Sequence, residues 1–393
     1  MTKNLLVFFG WRVKYITYTR IRATCFAAQK ICSMFNLNPV FIFVNEKAYK
    51  ECEDILKTFN YRDYYIFNSD VKNWDDAQQE VIALGGQYNF KYMLVSSLPI
   101  LKSYRLGNEQ ILKDELDSFY KDTSKHNKMM ILFTFFRKMF FIYDMLNQFK
   151  NIKVLQYLDD PWEVNLSKIV SNECKTIYEY NLSDRKVDYT IPFIGYTFFY
   201  NDSRTNFNDK KYDFTTGFMV PYENIDRLKK DKVVEKRVQY ALQIKDIEKQ
   251  FTESKLKFNL FYNLKSKTIE NKVIKDVDYN KLIGQSKFSF IFPSPKTNEF
   301  AITRLYYSLV RDCIPFIDKD TNFECGLFKD NPELLSFFKN NDLIQNLTDI
   351  PKILHTIDYD KVIFQLHNLN YYKQLQKDLY YTLQFAKLKD FFE

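Results

Sequence analysis

Five polar residues crowd one turn between an apolar run and a helical pattern: Thr297, Asn298, Glu299, Thr303 and Arg304. The surrounding stretch, Lys287 to Asp318, reads KFSFIFPSPKTNEFAITRLYYSLVRDCIPFID. A guanidinium at the start of a helix is suited to fork onto a phosphate, with Thr303 and the free backbone amides of the first turn as further donors. The same residues also read as an ordinary capped helix with Arg304 solvated or ion-paired. Residue types alone leave both readings open.

Two further places carry residues capable of chemistry. The run Lys153-Val154-Leu155-Gln156-Tyr157-Leu158 leads into Asp159-Asp160-Pro161-Trp162. A carboxylate placed there is able to deprotonate an acceptor hydroxyl or stabilise positive charge on a transferred sugar; an N-cap for a helix starting near Trp162 is the alternative. Near the N-terminus, Gly10-Trp11-Arg12-Val13-Lys14-Tyr15 continues to Arg20 and Arg22. Aromatic rings mixed with Trp11, Arg12, Arg20 and Arg22 suit stacking on bases and contact with phosphates, or form a solvated loop packed on its own domain.

The elements that must position these groups alternate. Leu5 to Phe9, Pro39 to Val44, Tyr64 to Phe67, Tyr92 to Ser96 and Lys153 to Leu158 read as strands, and Arg20 to Phe35, Ala48 to Phe59 and Trp74 to Leu84 as helices. Such alternation implies a doubly wound α/β domain. Lys175 to Tyr180 and Tyr189 to Tyr196 close it, and the polar run Asn201 to Lys211 is the linker candidate. A second domain restarts at Tyr212-Asp213-Phe214-Thr215-Thr216-Gly217, followed by a helix over Val233 to Thr252 and a strand over Phe258 to Tyr262. Phe288 to Phe292 is then a strand. Ile302, Leu305, Tyr306, Leu309 and Val310 share one helical face, and Ile314 to Ile317 is a buried strand. This strand, crossover helix and parallel strand open the helix N-terminus at the carboxyl edge of the sheet, where open α/β sheets bind ligands. The lysines Lys229, Lys230, Lys232 and Lys236 read as a solvated helix face, and Tyr371 to the C-terminus as one helix.

The run Thr303-Arg304-Leu305-Tyr306-Tyr307-Ser308-Leu309, then Cys313-Ile314-Pro315-Phe316-Ile317, resembles the donor-binding helix and following strand of GT-B glycosyltransferases, the exostosin-like group above all. Many retaining members carry two glutamates about two helical turns apart; Glu299 matches the first, and Tyr307 stands in place of the second. Asp312 replaces the usual glycine before the cysteine. The Tyr-Asp-Phe run ending in Gly217 resembles the first strand of the donor-binding half. The turn at Asp159 and Asp160 is similar to one in the bacteriophage glucosyltransferases that modify hydroxymethylated DNA. The resemblance implies two Rossmann-like domains facing each other across a cleft: an acceptor-side domain over 1–200, a nucleotide-sugar domain over 201–370, and a C-terminal helix, 371–393, packing back on the first. It also implies Arg304 as a diphosphate ligand with Thr303, Asn298, Tyr307 and Gly217 around the donor, and Glu299 on the sugar side.

Totals narrow the classes. The chain has 393 residues, 46% hydrophobic and 27% charged, enough for two cores. Only 8 glycines occur, with no P-loop and no GxGxxG, which excludes typical P-loop NTPases and NAD enzymes. Six cysteines are scattered without a CxxC pair, and three histidines supply no His-rich metal site, so reduced thiols and no metal are expected. No signal peptide is visible, and Met129 to Tyr143, broken by Arg137 and Lys138, is too short for a span. A cytoplasmic protein without a membrane span is expected. A net charge of +8 suits an acidic substrate or nucleic acid. The expected activity is transfer of a sugar from a nucleotide-sugar co-substrate, UDP-linked, to a hydroxyl. The expected acceptor is a 5-hydroxymethylpyrimidine in double-stranded phage DNA. A surface-glycan or lipid-linked acceptor is the alternative within the fold. A non-catalytic DNA-binding protein is the alternative outside it.

Overall fold

The computed structural model describes residues 3–8, 18–43, 46–66, 74–96, 110, 114, 142, 145–158, 165–178, 187–191, 210–219, 232–263, 281–293, 302–324, 327–375 and 378–393, some by their backbone alone. The chain forms two units, Met1–Gly195 with Tyr381–Glu393, and Tyr196–Tyr380.

The first unit is a seven-stranded, wholly parallel sheet in the order β3-β2-β1-β4-β5-β6-β7. Its strands are β1 (Lys3–Phe8), β2 (Leu37–Phe43), β3 (Tyr64–Ile66), β4 (Phe90–Ser96), β5 (Lys153–Tyr157), β6 (Cys174–Tyr178) and β7 (Tyr189–Thr190). Helices α1 (Tyr18–Phe35), α2 (Glu46–Thr58) and α3 (Trp74–Gln87) connect the first four. Strands covered on both faces need apolar side chains on both, which is why Leu5 to Phe8 is a continuous run and all four are buried. Leu6, Phe8, Val40, Ile42, Met93, Val95 and Val154 pack on Val81 and Leu84 of α3 and on Met145 and Leu146.

The second unit holds β8 (Tyr212–Met219), α4 (Lys232–Glu253), β9 (Phe258–Asn263), β10 (Ser286–Ile291), α5 (Ile302–Leu309), β11 (Ile314–Asp318) and β12 (Ile344–Gln345). Its five strands are all parallel, in the order β12-β11-β10-β8-β9. From β8 the chain steps outward to β9, then returns to the other side of β8 for β10. The strand order therefore reverses between β8 and β10, and a crevice at the carboxyl ends of such a pair is where doubly wound sheets take ligands.

Helices α6 (Pro332–Asn340), α7 (Tyr359–Asn368), α8 (Asn370–Leu375), α9 (Asp378–Ala386) and α10 (Lys389–Phe392) complete the fold. The segment from Tyr371 onwards is thus three short helices rather than one. The break before α10 buries Leu388 and turns Phe391 and Phe392 inward. Phe392 stacks on Phe35 at 4.6 Å, its carbonyl accepts from Tyr92 Oη at 2.6 Å, and Lys153 Nζ donates to the Phe391 carbonyl at 3.2 Å. Tertiary packing overrides the continuous helical pattern. Among the described residues no helix is long and apolar enough to cross a membrane, and Cys32, Cys174 and Cys313 are free thiols.

Candidate functional site

The site is built on α5, whose eight described residues are held in place by packing against the sheet. Leu305 and Leu309 are fully buried; truncating either to Ala costs about 2–5 kcal/mol. Ser308 Oγ meets Ser289 Oγ of β10 at 2.9 Å, both buried, which locks the helix to the strand before it.

The C-terminus of α5 ends in a Schellman arrangement. The Cys313 amide donates to the Ser308 carbonyl at 2.9 Å and the Asp312 amide to Leu309 at 3.2 Å. The residue that must turn left-handed there is Asp312, with φ of 50°. An aspartate tolerates that conformation better than most side chains but less well than glycine. Its carboxylate is compensated: Oδ1 is bonded to His367 Nε2 at 2.9 Å and accepts from Tyr372 Oη at 2.6 Å. The Tyr359 hydroxyl donates to the Asp312 carbonyl at 2.5 Å. Burial opposes ionisation of Asp312, but the His367 and Tyr372 bonds, with the charges of His367 and Lys210, hold its carboxyl below the usual value. Lys210 Nζ donates to the carbonyls of Arg311 and Gly284 at 2.7 and 2.9 Å, joining the chain entering β8 to that entering β10 and β11. Burial lowers the Lys210 ammonium's pKa.

With its C-terminus anchored at the amino edge, α5 presents its first turn at the carboxyl edge. There Arg304 Nη1 donates to the Gly217 carbonyl of β8 at 2.9 Å. Two residues singled out separately in the sequence, 87 positions apart, are thus bonded at the reversal of strand order. Gly217 faces Phe261 in the neighbouring β9, and a Cβ at Gly217 would lie 3.1 Å from Phe261 Cβ and 3.4 Å from its carbonyl oxygen. A branched side chain there forces β8 and β9 apart and moves the carbonyl that holds Arg304. Gly217→Val is expected to lower stability by about 1–3 kcal/mol and to weaken anion binding at Arg304. A melt followed by circular dichroism checks the first effect; an unchanged melting temperature means that β9 yields without strain.

Thr303 and Tyr307 lie on α5 to either side of Arg304 in sequence, and Arg20 and Arg22 in the opening turns of α1, each described by its backbone. Trp11, Arg12, Asp159, Asp160, Asn298 and Glu299 lie outside the described residues. The acidic pair directly follows Leu158, whose amide donates to the Ile177 carbonyl at 2.9 Å. Beyond it, Gln156 Oε1 accepts the Leu166 amide at 3.0 Å, and Asn165 caps the turn Leu166–Lys168. Among the described residues no three His, Cys, Asp or Glu side chains converge as metal ligands.

Sequence reasoning missed a second polar group on the carboxyl edge of the same sheet. Asp318, the last residue of β11, is only 8% exposed, and burial raises its pKa. Lys236 of α4, read above as part of a solvated face, is half-buried, lies 5.8 Å from the centre of the Tyr240 ring and acts electrostatically on Asp318. Tyr240 stacks on Phe292 at 4.5 Å; burial, then the charges of Asp318 and Asp320, push its hydroxyl pKa up. A carboxylate directly after an apolar strand was the signal that drew attention to Asp159, and the same signal marks Asp318.

No protein-family model matches the sequence, and no curated protein matches it. Among solved structures, the chain is similar to a Listeria monocytogenes protein assigned as a UDP-N-acetylglucosamine 2-epimerase, at 8% identity over 99% of this chain and 96% of that one, with a TM-score of 0.49. It is similar to S. aureus MnaA in a co-structure with UDP, at 12% identity over 98% of each chain and a TM-score of 0.45. A glycosyltransferase from Rickettsia africae is similar at 11% identity over 96% of this chain and 100% of that one, with a TM-score of 0.41.

Proposed function

We propose that this chain is a nucleotide-sugar-dependent glycosyltransferase whose second unit holds the donor diphosphate. The observation that carries the reading is Arg304, tied to the Gly217 carbonyl at the carboxyl edge where the strand order reverses between β8 and β10. A helix N-terminus and a guanidinium at that edge favour a bound diphosphate and the charge that grows on it as the sugar departs. In this reading Thr303 and Asn298 add donors to the phosphates, Tyr307 lies along the same helix, and Glu299 serves the sugar. The bond between the anomeric carbon and the phosphate oxygen breaks, and a bond from the acceptor oxygen to that carbon forms. The acceptor's proton passes to Asp159 or Asp160. The donor is UDP-linked.

The proposed acceptor is a 5-hydroxymethylpyrimidine in double-stranded DNA. The net charge of +8 and the basic, aromatic run from Gly10 to Arg22 support it. Trp11 would stack on a flipped base, and Arg12, Arg20 and Arg22 would hold phosphates. The test is incubation of the purified protein with UDP-, GDP- and dTDP-linked sugars and hydroxymethylated DNA, followed by digestion and mass measurement of the nucleosides. A base heavier by one sugar is the expected product. Free sugar released from one donor, with DNA unchanged, moves the acceptor to a glycan. Salt-sensitive DNA binding with no donor consumed means a non-catalytic DNA-binding protein.

A further inference from the structure

The turn that closes β11 carries buried polar groups that the fold leaves unused. Asp318 Oδ1 accepts the Asp320 amide at 2.9 Å, which fixes the carboxylate; among the described residues nothing else is hydrogen-bonded to it. The Thr321 amide donates to the Asp318 carbonyl at 3.0 Å, closing the turn, while the Thr321 hydroxyl is buried without a hydrogen-bond partner, its residue 5% exposed. Buried donors and acceptors left unpaired cost about 1–3 kcal/mol each. The Thr321 hydroxyl belongs to the same turn as the Asp318 carboxylate at the sheet's carboxyl edge, and a polar ligand bonded to both would satisfy it.

The position fixes which part of a ligand this is. β8, β10 and β11 are adjacent strands. Asp318 therefore stands two inter-strand steps from the Gly217–Arg304 bond, roughly 10 Å along the sheet edge. A nucleoside diphosphate whose phosphates sit at Arg304 reaches that far with its ribose. A carboxylate with one oxygen held by its own turn and the other open suits a hydroxyl donor.

We propose that Asp318 and Thr321 form the ribose-recognising half of the donor pocket, with Asp318 accepting a ribose hydroxyl and Thr321 completing the hydrogen bonds around it. The proposal rests on the donor-site reading above. Its test is calorimetric binding of UDP, 2′,3′-dideoxy-UDP and pyrophosphate to the wild type, Asp318→Asn, Thr321→Val and Arg304→Ala. The wild type is expected to prefer UDP over the dideoxy analogue by about 10–100-fold. In Asp318→Asn that preference falls to within a few-fold while pyrophosphate affinity is unchanged. Thr321→Val, which removes an unsatisfied hydroxyl and keeps the shape, melts no lower than the wild type yet binds UDP more weakly. The ribose assignment is overturned if Asp318→Asn weakens both nucleotides equally or leaves the preference intact. The donor-site reading survives either result as long as Arg304→Ala loses pyrophosphate. If the wild type binds neither nucleotide nor pyrophosphate, both fall.

Discussion

Arg304→Ala is expected to weaken UDP and pyrophosphate binding about 10–100-fold, the loss of one charge-assisted, forked contact in a partly buried setting. Arg304→Lys is expected to recover only part of it, because an ammonium restores the charge but not the planar fork. The bond to Gly217 makes a second readout necessary. If Arg304 only joins α5 to β8, its loss lowers the melting temperature and leaves pyrophosphate affinity alone. If it holds a diphosphate, affinity collapses while the melt moves little, since α5 keeps Leu305, Leu309, the Ser289–Ser308 bond and its C-terminal cap. Titration calorimetry and a thermal melt on the same preparations separate the two roles.

What made Arg304 legible is the pattern around it. Strands of a parallel sheet are buried on both faces, so β10 and β11 appear as short apolar runs, and α5 between them appears as a single apolar stripe. Those periods specify a crossover, and the crossover puts the helix N-terminus at the carboxyl edge. Gly217 drew attention only through the resemblance of its Tyr-Asp-Phe run; the close approach of Phe261 in β9, which requires a residue without a side chain there, shows only in the structure. Asp318 escaped notice because a terminal acid on a strand looks like a boundary residue, and the α4 side chains that interact with it, Lys236 and Tyr240, are distant in sequence. The burial of Lys236 was hidden for the same reason, since nothing on α4 itself tells which of its lysines faces the β11 turn. The breaks in the C-terminal segment were hidden too, because only the docking of Phe391 and Phe392 on the first unit requires them.

Asp312 shows how a departure from the expected pattern becomes part of the positioning apparatus. A glycine there would turn left-handed without strain; the aspartate turns at some cost but links α5 to α7 and α8 through His367 and Tyr372. Asp312→Ala is expected to lose stability by about 2–4 kcal/mol, from left-handed strain in a residue with no compensating bond and from two lost hydrogen bonds. Asp312→Gly relieves the strain and is expected to be milder than Ala by about 1 kcal/mol. Asp312→Asn, which keeps an acceptor oxygen and tolerates the turn, is mildest. The carboxyl's pKa is depressed in the folded protein, so its contribution is fully present above the unfolded value and is lost as pH falls through the folded one. Asp318 has the opposite sign: its raised pKa gives stability that is present below the unfolded value and lost as pH rises through the folded one. The gap in melting temperature between wild type and Asp312→Asn therefore narrows as pH falls below the ordinary carboxylate range. A gap that stays constant would mean that the carboxylate charge contributes nothing to the cap. Asp312→Gly more stable than the wild type would mean that the left-handed turn matters and the side-chain bonds do not. Where the cap does matter, loosening it tilts α5, and the Arg304–Gly217 distance follows. Asp312→Ala should then lose pyrophosphate affinity well below its own melting temperature, far along the helix from the group that binds.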